Sequence, residues 1–344
     1  MKRAGTRWLA ALLGLTAAMA AGRDARAHGD VDVDRPEPSS AQSTAGVNAE
    51  PRPDAPQAKH EERAWATLDM VLGWGKVPFA VQNLPATGDP ALTYSRSDRT
   101  DADVQSFVVA ASIELTHRWG VGLRLPFTFA DFSPDGSPAR GTSSLGNIEL
   151  DGEIAAPLAR DLRLAGSLGV TLPTAQGQQV PPGLLDQSAA STTENAYDRW
   201  SLSRAAAFAR GYEDNALFVP QRLGLIPRIG LFYRFRGLRV EPTVKVENLI
   251  ATSSSLPATY VGDVVAALRV AYTVREPLEV ALRGWVAVGY AGTADDRTTA
   301  VALEPGIALR LGSLRPYAGV ILPLAGPPSD NGFVGVRVGV TAAF

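Results

Sequence analysis

From residue 65 to residue 344 the chain alternates apolar and polar side chains with a period of two. Successive side chains of an extended strand point to opposite faces, so this pattern calls for strands with one apolar and one polar face. Residues 278–290 show it most clearly. Leu278, Val280, Leu282, Val286, Val288 and Tyr290 share one face, while Glu279, Arg283, Trp285 and Gly289 share the other. Upstream, Val264, Ala266, Leu268, Val270 and Tyr272 oppose Asp263, Arg269 and Thr273. Val301, Leu303, Ile307, Leu309 and Leu311 oppose Glu304 and Arg310, and Val240, Val244 and Val246 oppose Arg239, Glu241, Lys245 and Glu247.

Candidate strands fall at 65–75, 104–116, 121–132, 145–157, 162–173, 223–235, 238–250, 261–274, 278–290, 299–311, 314–324 and 332–344. About twelve strands is an even number, which brings both ends of a closed barrel to one side. Tight links at 117–120, 159–161, 236–237, 275–277 and 312–313 alternate with longer ones at 76–103, 133–144, 174–222, 251–260, 291–298 and 325–331. Short periplasmic turns and longer outer loops are the expected asymmetry of an outer-membrane barrel. The fold class read here is therefore all-β: a transmembrane antiparallel up-and-down β-barrel of residues 65–344. A secreted β-sandwich is the soluble alternative. It would match its apolar face to a second sheet and has no need of a terminal Phe344.

Residues 1–27 read as a secretory signal peptide. Lys2, Arg3 and Arg7 precede an apolar core over 8–21, and Ala25-Arg26-Ala27 supplies the small-x-small cleavage site. Cleavage there would leave His28 first, with no second histidine nearby for a copper site. Residues 28–64 are rich in Pro, Asp, Glu, Ser and Ala and read as a disordered periplasmic tail. Cysteine is absent, and the net charge of −2 gives no reason to expect nucleic acid. Pro126, Pro227, Pro242 and Pro305 fall inside candidate strands, where a bulge is expected to absorb each lost ladder bond.

Charge on a lipid face costs ~2–4 kcal/mol near the midplane, so the polar face is assigned to the lumen. The candidate lumen-lining residues are Arg124, Glu149, Asp151, Glu153, Arg228, Arg234, Glu241, Lys245, Arg269, Glu279, Arg283, Glu304, Arg310 and Arg337. Asp69, Glu114, Glu247, Asp263, Arg163 and Arg239 join them. Acids and bases are nearly equal in number, which favours ion pairs over strong ion selectivity. Register counting places Glu279 near Arg310, Glu241 near Arg269 and Glu153 near Arg124. The ladder Glu149, Asp151, Glu153 reads either as a cation-preferring wall or as the partner of a basic wall across the lumen. Trp74, Phe127, Phe129 and Tyr290 are placed at the outer rim, and Tyr233, Phe235, Tyr272 and Phe344 at the periplasmic rim, as aromatic belts.

The 174–222 link is too long for a plain loop. A short helix is expected over 198–212, capped by Asp198, as a gate in the barrel mouth or a lid outside it. No enzyme is expected. The only histidines are His28, His60 and His117, so a serine–histidine pair at the outer mouth is not available, and no HExxH, phosphate loop or calcium loop appears. No cofactor or metal is expected.

The run Leu145-Gly146-Asn147-Ile148-Glu149-Leu150, with Leu168-Gly169-Val170-Thr171-Leu172-Pro173-Thr174 after it, resembles the transporter-like barrels named for the meta-pathway of phenol degradation. The usual form there has Asp where Asn147 stands, and a Gly soon after the Pro-Thr, here Gly177. A second resemblance is to the barrel half of OmpA-like proteins. The final strand, ending in Phe344, resembles those read by the barrel assembly machinery. All three fit a protein of the bacterial outer membrane, in contact with its lipid, and the first implies passage of small, often apolar or aromatic, molecules across it. The expected function is passive diffusion through a channel, gated by the 174–222 loop. The alternative is a closed structural barrel with an ion-paired lumen, serving envelope integrity or surface recognition.

Overall fold

The computed structural model describes residues 63–83, 93–116, 118–133, 139–177, 190–254, 256, 258–293 and 296–344. The expected leader lies outside them, as does the expected tail up to position 62. The described chain contains β1 (Arg63–Asn83), β2 (Thr93–Glu114), β3 (Trp119–Ser133), β4 (Arg140–Leu145), β5 (Ile148–Ala159) and β6 (Leu162–Leu172). Then come helices α1 (Ala190–Ala209) and α2 (Asn215–Phe218), followed by β7 (Arg222–Phe235), β8 (Leu238–Ala251), β9 (Tyr260–Arg275) and β10 (Leu278–Ala291). β11 (Thr299–Leu309), β12 (Leu314–Ala325), the one-turn α3 (Pro327–Asp330) and β13 (Val334–Ala343) complete it.

Each strand pairs antiparallel with its sequence neighbour, β1 pairs with β13, and β2 pairs with β3, so the sheet closes on itself. β4 and β5 share one place in the ring. β5 pairs with β3 over Trp119–Arg124 positions and β4 with β3 over Phe127–Phe132 positions. The result is a closed barrel of twelve places with one strand divided in two. Closure joins the first and last strands of the ring, the condition for a sheet to cross hydrocarbon, while β4 pairs with β3 alone. Among the described residues no helix is long and apolar enough to cross a membrane.

The two faces follow the period-two pattern. Leu268 (47% exposed), Leu282, Ile307 and Val286 point outward, while Arg269, Arg283, Glu279 and Glu241 are buried. Trp74, Phe127, Phe129, Tyr290, Tyr233, Phe235, Tyr272 and Phe344 all stand on the exposed side.

Pro126, Pro227, Pro242 and Pro305 correct the expectation of a bulge at each of them. Register runs unbroken past each one, because a proline loses its bond toward one neighbour only. Pro126 stays opposite Val108, Pro227 opposite Leu168, Pro242 opposite Leu268 and Pro305 opposite Leu282. On the other flank the ladder skips Pro227 and Pro242 between β7 and β8, and Pro305 between β11 and β12, then resumes in the same register. Pro126 sits where β3 passes from β5 to β4. Register shifts do fall at two other strand prolines, at Val77/Phe79 around Pro78 and at Pro157/Ala159, and further at Leu278/Glu279, Gly289/Ala291 and Val301/Ala302.

The expected helix is present but longer, at 20 residues, and starts well before Asp198. Asp198 is therefore no cap; it lies inside α1, 3.5 Å from Arg140. The helix ends in a Schellman motif. Tyr212 N–H donates to Ala207 O (2.8 Å), Gly211 N–H donates to Phe208 O (2.9 Å), and Gly211 has φ +61°.

Candidate functional site

The segment carrying α1 and α2 fills the lumen. From Leu202 to Phe218 every side chain but Arg204 is buried. The Ala-rich end of α1 lets it approach the wall closely. Gly73 and Gly335, register partners on β1 and β13, lie against Ala209, and a Cβ on Gly335 would stand 2.5 Å from Ala209 O. Leu202, Ala205, Phe208 and Tyr212 pack with Val71, Val104, Phe132, Trp285, Ala302, Ile321 and Phe333. The loop-side half of the lumen is thus apolar. This corrects the assignment of a uniformly polar interior: the internal helix supplies the apolar partner that water would not.

At mid-height the contacts become ionic. Residues 210–215 carry Arg210, Glu213, Asp214 and Asn215 into a ring of wall charges. Arg210, fully buried, donates to Asp69 (2.6 Å) on β1 and Ser106 (2.8 Å) on β2. Arg124 on β3 donates to Asp214 (3.0 Å) and Glu149 (3.2 Å). Lys245 on β8 lies 3.6 Å from Asp214 and 2.8 Å from Glu247, and also donates to the Glu213 carbonyl. Asn215 donates to Asp263 (3.1 Å) on β9, and Ala216 N–H donates to Glu247 (2.9 Å). Arg283 on β10 forks onto Glu213, which also accepts from Arg337 on β13 (3.1 Å). Arg337 and Arg283 meet Glu304 at 2.8 and 3.6 Å. Trp285 Nε1–H donates to Gly211 O (2.8 Å). Burial alone would raise the Asp214 carboxyl; Arg124, Lys245, Arg210 and Arg337 outweigh it and hold the group well below the usual carboxylate range.

The motif around Asn147 clamps the foot of this segment. Gly146 and Asn147 break the β4–β5 strand, and Asn147 turns inward, fully buried. Its amide donates to Ala216 O (2.9 Å) and Val219 O (2.6 Å), and its Oδ1 accepts from Ala175 N–H (3.0 Å). Thr174 Oγ1 donates to Gly146 O (2.5 Å) and accepts from Ile148 N–H (3.0 Å). A Cβ on Gly146 would fall 2.7 Å from Pro126 Cγ and closer still to Leu217 O.

At the turn end Glu279 gathers four arginines. It accepts from Arg269 (2.8 Å), Arg310 (3.1 Å), Arg239 and Arg315. Glu241 accepts from Arg269 at 3.1 Å. The expected neighbours Glu279–Arg310 and Glu241–Arg269 thus meet. Glu153 and Arg124 do not: register sets Arg124 opposite Glu149 and Glu153 opposite Gly120. Arg228 pairs with Glu149, and Arg234 is half-buried near the turn, opposite Arg239 in register. Asp151 and Glu153 are buried on the lumen wall. Arg315 and the whole set from Arg210 to Asn215 were missed by strand periodicity, since the latter lie on no strand. Their one signal is a charged cluster, Arg210-Gly211-Tyr212-Glu213-Asp214-Asn215, directly after an alanine run.

No protein-family model matches the sequence, and neither does any curated protein. Among solved structures the fold is similar to an outer-membrane channel from Pseudomonas putida F1, at 14% identity and a TM-score of 0.54, over 86% of this chain and 100% of that one. The β domain of the Bordetella autotransporter BrkA follows at 13% identity and TM-score 0.43, over 82% and 99%. The KdgM porin follows at 8% and 0.40, over 81% and 99%. The chain has the fold of a bacterial outer-membrane β-barrel.

Proposed function

We propose that the chain is an outer-membrane channel for passive diffusion of small apolar or aromatic molecules, held shut by its own segment 190–221. The observation that carries this reading is the make-up of the lumen. A barrel serving only as a scaffold needs no helix inside it, since cross-strand ion pairs fill space, as they do around Glu279. Here a separate segment lies between an apolar loop-side lumen and a ring of charge pairs. Phe132, Trp285, Phe208, Tyr212 and Phe333 give that loop-side half an aromatic character. The resemblance to phenol meta-pathway transporters supports the same solute class. No enzymatic role is proposed. A closed structural barrel is the second reading, and the arginine cluster around Glu279 favours it.

The test is uptake of radiolabelled phenol and toluene by cells that make the protein and cells that lack it. Faster uptake in producing cells is expected, faster still with residues 198–213 removed. Equal uptake in all three strains overturns the reading.

A further inference from the structure

Most lumen cations are matched to acids. Arg124 has Asp214 and Glu149, Arg210 has Asp69, Arg228 has Glu149, Arg269 has Glu241 and Lys245 has Glu247. Arg204 is not. It is the one charged residue between Leu202 and Ala209, the stretch of α1 that packs into the apolar loop-side half of the lumen. Its Nε–H is buried without an acceptor, and no described acid lies within ion-pair distance of the guanidinium.

Three rings surround the guanidinium instead. Arg204 Cζ lies 5.7 Å from the centre of the Trp200 ring, 5.6 Å from Phe208 and 6.0 Å from Tyr212. Trp200 and Phe208 stand one turn before and one turn after it on the same helix face. Ring faces attract a cation but carry no full charge to neutralise it, so the guanidinium keeps its donors. The rings also hold it in place: Phe208 is 1% exposed and packs edge-on against Phe333 at 5.4 Å. From Leu202 to Phe218 only Arg204 is not buried, so it is reachable from the open side. Three positions before it, the buried Ser201 hydroxyl also lacks a partner, and side chains at that spacing are neighbours on a helix. A pre-set donor fork, an apolar surround and no counter-charge together make a receiver for a carboxylate on an apolar body.

We propose that Arg204 binds the carboxylate of a small aromatic monocarboxylate arriving from the loop side. One guanidinium matches one negative charge, and its fork matches the two oxygens of a carboxylate. The aromatic half of the lumen suits the body of such a molecule and disfavours a multiply charged, strongly hydrated anion. Arg204 belongs to the segment that closes the barrel, so the solute meets the closing segment itself. The proposal rests on the channel reading for the direction of travel, while binding is measured without transport.

Full-length protein refolded in detergent and titrated calorimetrically with sodium benzoate tests this, with benzamide as the neutral counterpart of the same shape. One benzoate per chain is expected, with benzamide and sodium phosphate at least about tenfold weaker. Arg204→Gln should weaken benzoate binding at least about tenfold, with heat-modifiable mobility showing that the variant barrel has folded. Arg204→Lys keeps the charge and loses the fork, so it should fall between. No benzoate binding by the wild type overturns the proposal, as does equal binding of benzamide or phosphate, or undiminished binding by folded Arg204→Gln. The benzamide comparison needs no variant and decides the matter if Arg204→Gln does not fold. Uptake of labelled benzoate by producing cells separates this site from the channel reading. Binding without uptake sinks the channel and leaves the site; uptake without Arg204-dependent binding sinks the site and leaves the channel.

Discussion

The Asn147 amide donates to the carbonyls of Ala216 and Val219, and its oxygen accepts from Ala175 N–H, so one buried side chain ties the wall to both ends of the long β6–β7 link. Replacing it with leucine leaves those backbone groups buried without partners, at about 1–3 kcal/mol each. Asn147→Leu is therefore expected to lower the melting temperature and to expose 198–221 to limited proteolysis in the folded barrel. Unchanged cleavage and melting would contradict the clamp. Asn147→Asp keeps the bond from Ala175 and loses the two donated ones, so it should fall between wild type and leucine. Sequence alone marked Asn147 as a motif position but not its task. Its partners lie some seventy residues away on a segment with no strand period, and nothing local signals such a meeting. The charges of the strands were legible: parity put them on the lumen face, and register counted from the loops put Glu241 with Arg269 and Glu279 with Arg310. The Glu153–Arg124 pairing failed because register between β3 and β5 depends on how the β4–β5 break at Gly146 and Asn147 is counted.

At the scale of elements, twelve strand places were readable because each must present hydrocarbon on one side and charge on the other. Leu268 stands outward in the middle of β9. Leu268→Arg is expected to cost ~2–4 kcal/mol of stability in lipid, read from urea unfolding in bilayers. A much smaller cost would place that face away from hydrocarbon. β1 and β2 run on to Asn83 and from Thr93, beyond the strands expected there, since nothing but pairing with each other is needed to extend a hairpin. Helix α1 was foreseen in kind but not in length or place. Its alanines look like helix propensity in the sequence. In the fold all four of Ala205, Ala206, Ala207 and Ala209 are buried, and Ala209 is the small surface that fits against Gly73 and Gly335 of the wall. A glycine facing an alanine has no periodic signature, so whether the helix lies inside the barrel or outside it was not legible in the sequence.

For the whole molecule, ring closure depends on β13 meeting β1, where Phe344 N–H donates to Ala64 O at 2.9 Å. Removing Phe344 is expected to slow assembly in cells through poorer reading by the barrel assembly machinery. Refolding into detergent should be little changed; both are read by heat-modifiable mobility. An equal loss in both settings would make Phe344 a matter of stability alone. The central claim is that the segment inside the barrel controls passage through it. Single-channel recording in planar bilayers, comparing the wild type with a variant lacking 198–213, tests it most directly. The account predicts small or rare openings for the wild type and large, steady ones for the variant. Equal conductance in the two folded barrels would contradict it.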